Sequence, residues 1–312
     1  MEKIKFIADF FVEDVFGGGE LVNEEIIKGL IASGKVVEKI KCHEVNIEDL
    51  TGQLLIGNFI NLSEASKNHI SKKCNYSIIE HDHKYSKTRD VSNYDDYILP
   101  SNQVINRSFY ENAKSIYCQS LKHSNIVALN LGLDNVVNLS TSIWSEEHLG
   151  IISDNSNKIK NGKTMVLGSN NSIKNTSYAK HICESNGIDY DIVGPLPYKD
   201  LIEKMSEYSE LLFIPGVFET FNRLLVEAKM LGCKVKTTDR NGCISENWFK
   251  ELSGPDLLDF IKNSKNDFID KILNPKYISA DYGKQNHFKI DRQMFKINKG
   301  PKLWGLSMYN NG

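Results

Sequence analysis

At 312 residues the chain is long enough for two domains of ordinary size. Its 40% hydrophobic and 25% charged residues are typical of a globular protein with a substantial core and argue against wholesale disorder. The formal net charge of −2 gives no overall attraction to nucleic acid, and no apolar run approaches the roughly 20 residues that a membrane helix needs.

The amino terminus and the cysteines give information about the cellular compartment. The start, Met1–Ala8, lacks the basic region, long apolar stretch and cleavage site of a secretory signal, and it predicts a first β-strand instead. The six cysteines are scattered, without a C-x-x-C pair or a zinc-like spacing. Reduced thiols are therefore favoured over disulfides or a metal site, and we expect a cytoplasmic protein.

In the first half of the chain, short β-branched runs alternate with helix-length amphipathic segments, which is typical of parallel α/β architecture. The strands predicted there are Ile4–Ala8, Val36–Ile40, Leu54–Ile60, Tyr76–Ile79, Ser115–Cys118 and Val136–Leu139. The helices predicted between them include Leu21–Ala32, Ser63–Lys73 and Leu121–Leu131. The polar stretch Ser86–Asn106 has no clear periodicity and predicts a long loop at the edge of a site.

A polar segment rich in Asn, Ser and Gly, residues 153–163, predicts a linker, after which the alternation restarts. The predicted strands are Thr164–Leu167, Tyr190–Val193, Leu211–Ile214 and Lys234–Thr237, and the predicted helices are Thr176–Asn186, Lys199–Tyr208, Phe221–Leu231 and Pro255–Leu273. We therefore predict Rossmann-like domains over residues 1–152 and 164–283. The basic tail, residues 284–312, has two interpretations: it attracts phosphates, or it is a solvated surface. Packing of the tail onto the first domain is a further option.

Ligands of such sheets bind beyond the carboxyl ends of the parallel strands, where the strand order reverses, so residues that follow strands are candidates. After the first strand come Gly17, Gly18 and Gly19, then Glu20 and a helix predicted from about Leu21. Glycine lets a backbone approach a ligand closely, although a flexible turn also explains such a loop. The G-x-G-x-x-G spacing of dinucleotide-binding proteins is absent, which disfavours that class.

A polar block, Glu80–Tyr85, follows the strand predicted at Tyr76–Ile79 and contains His81, His83 and Lys84. The two histidines lie two positions apart and can share a side as metal ligands. No third ligand of identifiable position accompanies them, which disfavours a metal site. A polar surface turn is the plainest alternative.

The most informative stretch is residues 213–235, where a buried strand ends in a Pro-Gly turn and a helix is predicted to begin near Thr220 or Phe221. The first-turn amides, at about residues 221–223, are unpaired donors in such a helix. Together with the helix dipole they form an anion site suited to a diphosphate, and Arg223 adds a cation there.

Two carboxylates bracket this helix start. Glu219 can reach a hydroxyl-bearing group beside the phosphate, and Glu227 can accept paired hydrogen bonds from the vicinal hydroxyls of a ribose. The pair suits a ligand with a polyol, a diphosphate and a nucleoside in line. Alternatively, Glu219 stabilises the helix dipole and Glu227 is an ordinary exposed helix residue.

The spacing Glu219-x7-Glu227 in a strand–loop–helix setting resembles the E-x7-E signature of retaining GT-B glycosyltransferases, especially glycosyltransferase family 4. The stretch that follows is similar to the family's A-x-G-x-P-V…T-D-x-G-G-x-x-E run at residues 231–235, 238–239 and 242–246. The resemblance implies the α/β GT-B fold, with two Rossmann-like domains facing each other across a cleft. It also implies that the first domain serves the acceptor and the second binds a nucleotide sugar.

In the second domain, the resemblance implies that Glu219 contacts the donor sugar and Glu227 the nucleotide ribose. The residues that bind the rest of the donor are then Lys174, Thr220, Phe221, Asn222 and Arg223. The family places an arginine and a lysine near the diphosphate; only the lysine has a counterpart, and Arg223 is the candidate substitute. Asn222 stands where the family usually has glycine.

In the first domain, the resemblance implies that Gly17, Gly18 and Gly19 line the donor phosphates and the acceptor cleft. A histidine after the fourth strand faces the donor sugar in the family; His81 is the first choice and His83 the second. The possible acceptor-side residues are Glu20, His83 and Lys84.

The expected reaction moves a sugar from a nucleoside diphosphate sugar to a hydroxyl with retention, without metal or cofactor, and His81 and Glu219 are the expected catalytic residues. The acceptor is a saccharide or glycan, or a 5-hydroxymethylated pyrimidine in phage DNA. The second option arises because Glu80–Tyr85, the Gly17–Glu20 loop and Asn138–Glu147 are similar to uncharacterised phage glycosyltransferases. A phage protein would act in the host cytoplasm.

Other functions remain open on the same fold. A sugar-nucleotide 2-epimerase needs further acid–base residues that have no identifiable position here, and a phosphorylase needs a much longer chain. A non-catalytic sugar-nucleotide-binding protein draws support from Asn222 and the altered cation set. The oligomeric state is left open.

Overall fold

The computed structural model describes residues 3–278 and the backbone of residues 303–304. The described chain divides into two compact units. Unit 1 comprises residues 3–144 and 264–278, and unit 2 comprises residues 145–263 and 303–304. No helix of the described residues is both long and apolar enough to cross a membrane. The predicted basic tail, apart from residues 303–304, lies outside the described residues.

Unit 1 is built on a six-stranded sheet in which every neighbouring pair is parallel. Its strands are β1 (Lys3–Ala8), β2 (Val36–Lys41), β3 (Gln53–Ile56), β4 (Asn75–Glu80), β5 (Ile116–Cys118) and β6 (Val136–Asn138). Its α-helices are α1 (Gly18–Ala32), α2 (Glu64–Lys73), α3 (Arg107–Glu111) and α4 (Leu121–Leu131). The spatial order is β2-β1-β3-β4-β5-β6, so the strand order reverses between β1 and β3.

Unit 2 repeats this topology in a smaller sheet. Its strands are β7 (Thr164–Leu167), β8 (Tyr190–Val193), β9 (Glu210–Leu212), β10 (Lys234–Thr238) and β11 (Leu303–Trp304). Its α-helices are α5 (Glu146–Asn155), α6 (Thr176–Ser185), α7 (Tyr198–Met205), α8 (Arg223–Met230) and α9 (Asn247–Glu251). The parallel strands are ordered β8-β7-β9-β10, with β11 antiparallel to β10, so the reversal lies between β7 and β9.

A long closing helix, α10 (Gly254–Leu273), spans the division between the units. Single 3-10 turns occur at Cys42–Glu44, Ile47–Asp49, Asp95–Tyr97, Ser101–Gln103, Ser172–Lys174 and Gly242–Ser245. Each sheet has its own core. In unit 1, Phe6 and Leu55 of the sheet pack with Ile26 of α1 and Phe268 of α10, and in unit 2, Val166 and Leu212 pack with Cys183 of α6.

The predicted alternation of strands and helices is confirmed in both halves. The buried strands were predictable because both faces of a parallel sheet are covered, which produces continuous β-branched runs. Most boundaries differ by one to four residues, and three of these differences bear on the candidate sites. The strand predicted at Leu54–Ile60 ends at Ile56, α1 begins at Gly18, and α8 begins at Arg223. The helix α5 was not predicted, and it extends into the first residues of the segment 153–163.

Candidate active site

In unit 2, the loops that follow β7 and β9 leave the sheet where the strand order reverses, which is where a doubly wound sheet binds its ligands. Backbone hydrogen bonds hold these loops together. The Gly216 amide donates to the Ile173 carbonyl at 2.8 Å. The Glu219 amide donates to the Arg240 carbonyl, and the Glu219 carbonyl accepts from the Gly242 amide, both at 2.8 Å. The backbone of Glu219 is therefore fixed between the loops of three neighbouring strands.

The side chain of Glu219 forms an ion pair with Lys174. Its Oε1 lies 2.7 Å from the Lys174 ammonium, and the two side chains are 18% and 32% exposed. The ammonium also lies 5.6 Å from the centre of the Phe213 ring, close enough for a cation–π contact. Two residues singled out in separate loops therefore meet at the carboxyl end of the sheet, as a half-buried pair of opposite charges.

The helix α8 begins later than predicted. The prediction placed its start near Thr220 or Phe221, but Asn222 is the N-cap, with an extended backbone and a side-chain oxygen that accepts from the Leu225 amide at 3.1 Å. Asparagine is among the best N-cap residues, so it sets the boundary. The first-turn amides are consequently those of residues 223–225 rather than 221–223.

Glu227 lies inside this helix and is only 4% exposed, so the alternative of an ordinary exposed helix residue is wrong. Its Oε1 accepts a hydrogen bond from the Tyr198 hydroxyl at 3.3 Å and lies 4.0 Å from Nε of Arg223. The Tyr198 ring packs against the His148 ring, with centroids 4.0 Å apart. Burial, followed by the charge of Glu227, raises the pKa of Tyr198, so its hydroxyl stays a neutral donor.

Thr220 and Phe221, predicted to bind the donor, are 9% and 8% exposed. Phe221 packs near Trp248, with ring centroids 6.3 Å apart. Arg223 is also largely covered, with a side chain 11% exposed. These residues lie around the start of α8, and their side chains are largely covered.

In unit 1, the three glycines lie at the amino end of α1. Gly17 is the N-cap, without a side-chain cap, while Gly18 and Gly19 form the first turn rather than a loop. A Cβ on Gly19 would lie 3.5 Å from the His81 ring and 3.4 Å from the Asn58 amide. These are ordinary van der Waals distances, so the first turn of α1 lies in contact with His81.

His81 is half-buried at the end of β4. Its Nε2 lies 2.8 Å from Oδ1 of Asn23, a fully buried residue of α1. Burial, followed by the charge of Lys84, lowers the pKa of His81 to about 4. The imidazole is therefore neutral near pH 7, with the Nε2 proton directed at Asn23.

The predicted acceptor-side residues are buried. His83 is fully buried, with Nδ1 2.8 Å from the Tyr85 hydroxyl and its ring against His123, so the expectation that it faces a ligand is wrong. Lys84 is 1% exposed and pairs with Glu80 at 2.8 Å, and the 8% exposed Glu20 accepts from the Asn58 amide at 3.3 Å.

Sequence analysis missed Tyr198 and Asn23, which hold Glu227 and His81 in place. Tyr198 is the first residue of α7 after the Pro-rich turn that follows β8, and Asn23 lies on the buried face of α1. A buried asparagine on an apolar helix face was the one available signal, because such a residue needs a polar partner.

Within residues 3–278, no three His, Cys, Asp or Glu side chains cluster in a way that could hold a metal ion. The proposed site in unit 2 instead carries its positive charge on Lys174 and Arg223.

Comparisons with known proteins detect similarity at the level of structure. No family profile matches the chain, and no curated protein matches it in sequence. Sucrose-phosphate synthase from Thermosynechococcus elongatus is similar in structure, with a TM-score of 0.52 at 9% identity over 94% of this chain and 99% of that one. The chain therefore has the GT-B fold, with two Rossmann-like units in one polypeptide.

Two further solved structures have lower scores. An alpha-glucosyltransferase in complex with UDP and a DNA containing an HMU base has a TM-score of 0.45 at 11% identity, covering 92% of this chain and 98% of that one. The UDP-GlcNAc 2-epimerase of Methanocaldococcus jannaschii has a TM-score of 0.44 at 12% identity, covering 94% and 99%.

Proposed function

We propose that this protein is a retaining glycosyltransferase similar to glycosyltransferase family 4, which transfers a sugar from a nucleoside diphosphate sugar to a hydroxyl acceptor. The observation that carries the proposal is the Lys174–Glu219 pair, 2.7 Å apart, on loops at the point of strand reversal in unit 2. The resemblance implies that Glu219 is catalytic and contacts the donor sugar, and that Lys174 lies near the donor diphosphate. The E-x7-E spacing and the GT-B fold support the same assignment.

In the proposed complex, the donor diphosphate lies at the amino end of α8 and takes the Lys174 ammonium as a partner, with Arg223 as a second cation. Opening the Lys174–Glu219 pair costs little, because partly exposed ion pairs contribute only about 0–1 kcal/mol. Glu219 is then released to accept hydrogen bonds from the sugar hydroxyls. Glu227, held by Tyr198, accepts from the ribose hydroxyls.

The proposed reaction breaks the bond between the anomeric carbon and the diphosphate oxygen and forms a bond from that carbon to the acceptor oxygen on the same face. The hydroxyl proton of the acceptor passes to the departing diphosphate. The barrier lies mainly in the growth of negative charge on the leaving group, which preorganised cations stabilise. Metal and cofactor have no part in this proposal. His81 keeps its proposed role as a contact for the donor sugar, as a neutral imidazole.

The test is incubation of the protein with a panel of nucleoside diphosphate sugars, each with a saccharide and with hydroxymethylated DNA as acceptor, read by mass spectrometry. We expect one donor to be consumed and one acceptor to gain the mass of a sugar. Glu219→Gln should reduce transfer by at least about a hundredfold, the scale of losing one aligned polar contact in a transition state.

The matched control is Glu184→Gln. Glu184 is also a glutamate of unit 2 paired with a lysine, Lys180, but it is 53% exposed on α6. It should leave transfer unchanged. Near-normal turnover by Glu219→Gln would contradict the assignment of that residue. A 2-epimer of the donor as product would identify an epimerase, and tight binding without turnover would identify a non-catalytic protein.

A further inference from the structure

A cavity of about 620 Å³ lies in unit 1, at the carboxyl ends of β3 and β4. It is lined by residues from the loop after β3, from the first turn of α2 and from the loop after β4. Those that carry the argument are Phe59, Lys67, Lys84, Lys87, Arg89 and Ile105. The volume is within the range of small-molecule sites, which is about 300–1,000 Å³.

The cavity is rich in cations whose acidic partners are exposed. The Lys67 ammonium pairs with Glu64 at 2.8 Å, but the Glu64 side chain is 79% exposed. Arg89, 54% exposed, pairs with Asp82 at 3.1 Å. Lys87 is exposed, and its ammonium makes no hydrogen bond or ion pair with the rest of the described chain.

A buried lysine forms the inner end of the cavity. Lys84 bonds to Asp82 at 3.0 Å, so Lys84 and Arg89 share one carboxylate. Asp82 can stay with the buried ammonium while Arg89 turns to a ligand. Four cations here face three carboxylates, which leaves an excess of positive charge at the cavity.

Part of the remaining wall is apolar. The buried Phe59 ring lies 5.9 Å from the Lys67 ammonium and 5.4 Å from the Lys84 ammonium, and Ile60 and Ile105 are 50% and 36% exposed at the rim. Such a combination suits a compact ligand with one strongly anionic group and a less polar body. A sugar ring packs well against apolar side chains while its phosphate takes the cations.

We propose that this cavity binds the phosphate group of a small phosphorylated saccharide. A phosphate monoester carries about two negative charges near pH 7, enough to engage Lys87 and Arg89 together and to draw Lys67 from Glu64. A compact ligand is favoured over a nucleic-acid strand because the cations converge on one cavity. Binding of such a ligand does not depend on the transfer reaction proposed above.

The binding test uses calorimetry without any donor, with inorganic phosphate, glucose 1-phosphate and glucose 6-phosphate as probes and glucose as the uncharged control. We expect at least one sugar phosphate to bind about tenfold or more tightly than glucose. The affinity for the sugar phosphate should fall about tenfold in Lys87→Gln and about tenfold in Arg89→Gln. The double variant should bind the sugar phosphate no better than glucose. Failure of all phosphate probes to bind, or an unchanged affinity in the double variant, overturns the proposal.

Two matched variants make the result specific. Lys73→Gln removes the same charge from the last turn of α2, outside the cavity, and should leave affinity unchanged. Glu219→Gln should also leave it unchanged, so that failure of this site and failure of the transferase assignment can be told apart. Lys84 is unsuitable for the test, because its loss leaves Glu80 unpaired in the core.

A nucleic-acid ligand is the competing outcome. A short DNA duplex is titrated at several salt concentrations and in competition with the sugar phosphate. The compact-ligand proposal would be overturned by DNA that displaces the sugar phosphate, provided that two conditions hold. The DNA affinity must fall steeply with salt, and it must be lost in the Lys87→Gln/Arg89→Gln variant. If DNA does not compete with the sugar phosphate, the compact-ligand proposal is supported.

Discussion

Two lysine–glutamate pairs follow strands of the two sheets, and they differ in burial rather than in distance. In unit 1, Lys84 and Glu80 lie 2.8 Å apart with both side chains fully buried. In unit 2, Lys174 and Glu219 lie 2.7 Å apart with side chains 32% and 18% exposed. The two ion pairs therefore have the same chemical groups and nearly the same separation, but they differ in exposure to solvent.

The buried pair is held by its surroundings. Burial alone would raise the pKa of Glu80, but the Lys84 charge and hydrogen bonds from Lys84 and Tyr110 hold that pKa below its usual value. Opening such a pair leaves a bare charge in the core. The pair in unit 2 can exchange its partner for water or for a ligand at little cost. Solvent exposure, rather than the separation of the charges, therefore distinguishes the pair that a ligand can reach.

Breaking the buried Lys84–Glu80 pair should change the free energy of unfolding most. Lys84→Met should lower the free energy of unfolding by about 3–5 kcal/mol, because the Glu80 carboxylate loses its partner inside the core. Lys174→Met, the matched change in the partly exposed pair, should cost less than about 1 kcal/mol. Urea unfolding followed by circular dichroism measures both. Equal losses in the two variants would show that burial does not separate the pairs.

A second prediction concerns the buried histidines beside the Lys84–Glu80 pair. Burial lowers the pKa of His83 to about 4, below the value of about 6.5 in an unfolded chain. Between these two values the unfolded state binds a proton that the folded state does not. The free energy of unfolding should therefore fall by about 1.4 kcal/mol per pH unit for this histidine as the pH drops from about 6.5 towards 4.

Urea unfolding at several pH values tests this sign and slope. His83→Gln should be less stable near neutral pH but should show a shallower slope. A slope that His83→Gln does not change would contradict the assignment.

A third prediction sharpens the role of unit 2. Glu227→Gln keeps the shape of the side chain but replaces the carboxylate that is proposed to accept from the ribose. Affinity for the nucleoside diphosphate that the wild type binds best should fall about tenfold, the cost of a charge-assisted hydrogen bond. Calorimetry measures the loss, with Glu184→Gln as the control. Unchanged affinity would place the nucleotide away from Glu227.

Sequence reasoning found the strands, because each parallel strand is a short continuous apolar run. The family resemblance selected Lys174 and Glu219 as candidates, and the structure joins the two in one ion pair. Sequence reasoning misplaced the start of α8, which was predicted near Thr220 or Phe221, whereas the side chain of Asn222 supplies the cap. Asparagine is a preferred N-cap residue, so this boundary could have been predicted from the sequence.

The two histidines after β4 show a second limit. Their spacing suggested that His81 and His83 share a side, as alternate residues of a strand do. The backbone turns at His83, where φ is +21°, so the alternation ends and its ring enters the core. Burial of a polar side chain after a strand depends on the path of the loop, and that path is set by contacts such as those with Tyr85 and His123.

The smallest expected effect concerns Tyr198, which sequence reasoning missed. Tyr198→Phe removes the hydroxyl that donates to Glu227 at 3.3 Å but keeps the ring that packs on His148. Loss of one such hydrogen bond costs about 0.5–1.5 kcal/mol, so nucleoside diphosphate affinity should fall only a few-fold. Calorimetry on the single variant measures this loss of nucleoside diphosphate affinity.

The double variant Tyr198→Phe/Glu227→Gln then separates a positioning role from direct contact. If the hydroxyl acts by orienting the Glu227 carboxylate, the double variant should bind no more weakly than Glu227→Gln alone, because the group that Tyr198 positions is already gone. Losses that add would mean that Tyr198 touches the nucleotide itself. In that case the carboxylate of Glu227 would be oriented by Arg223, whose Nε lies 4.0 Å away, rather than by the tyrosine.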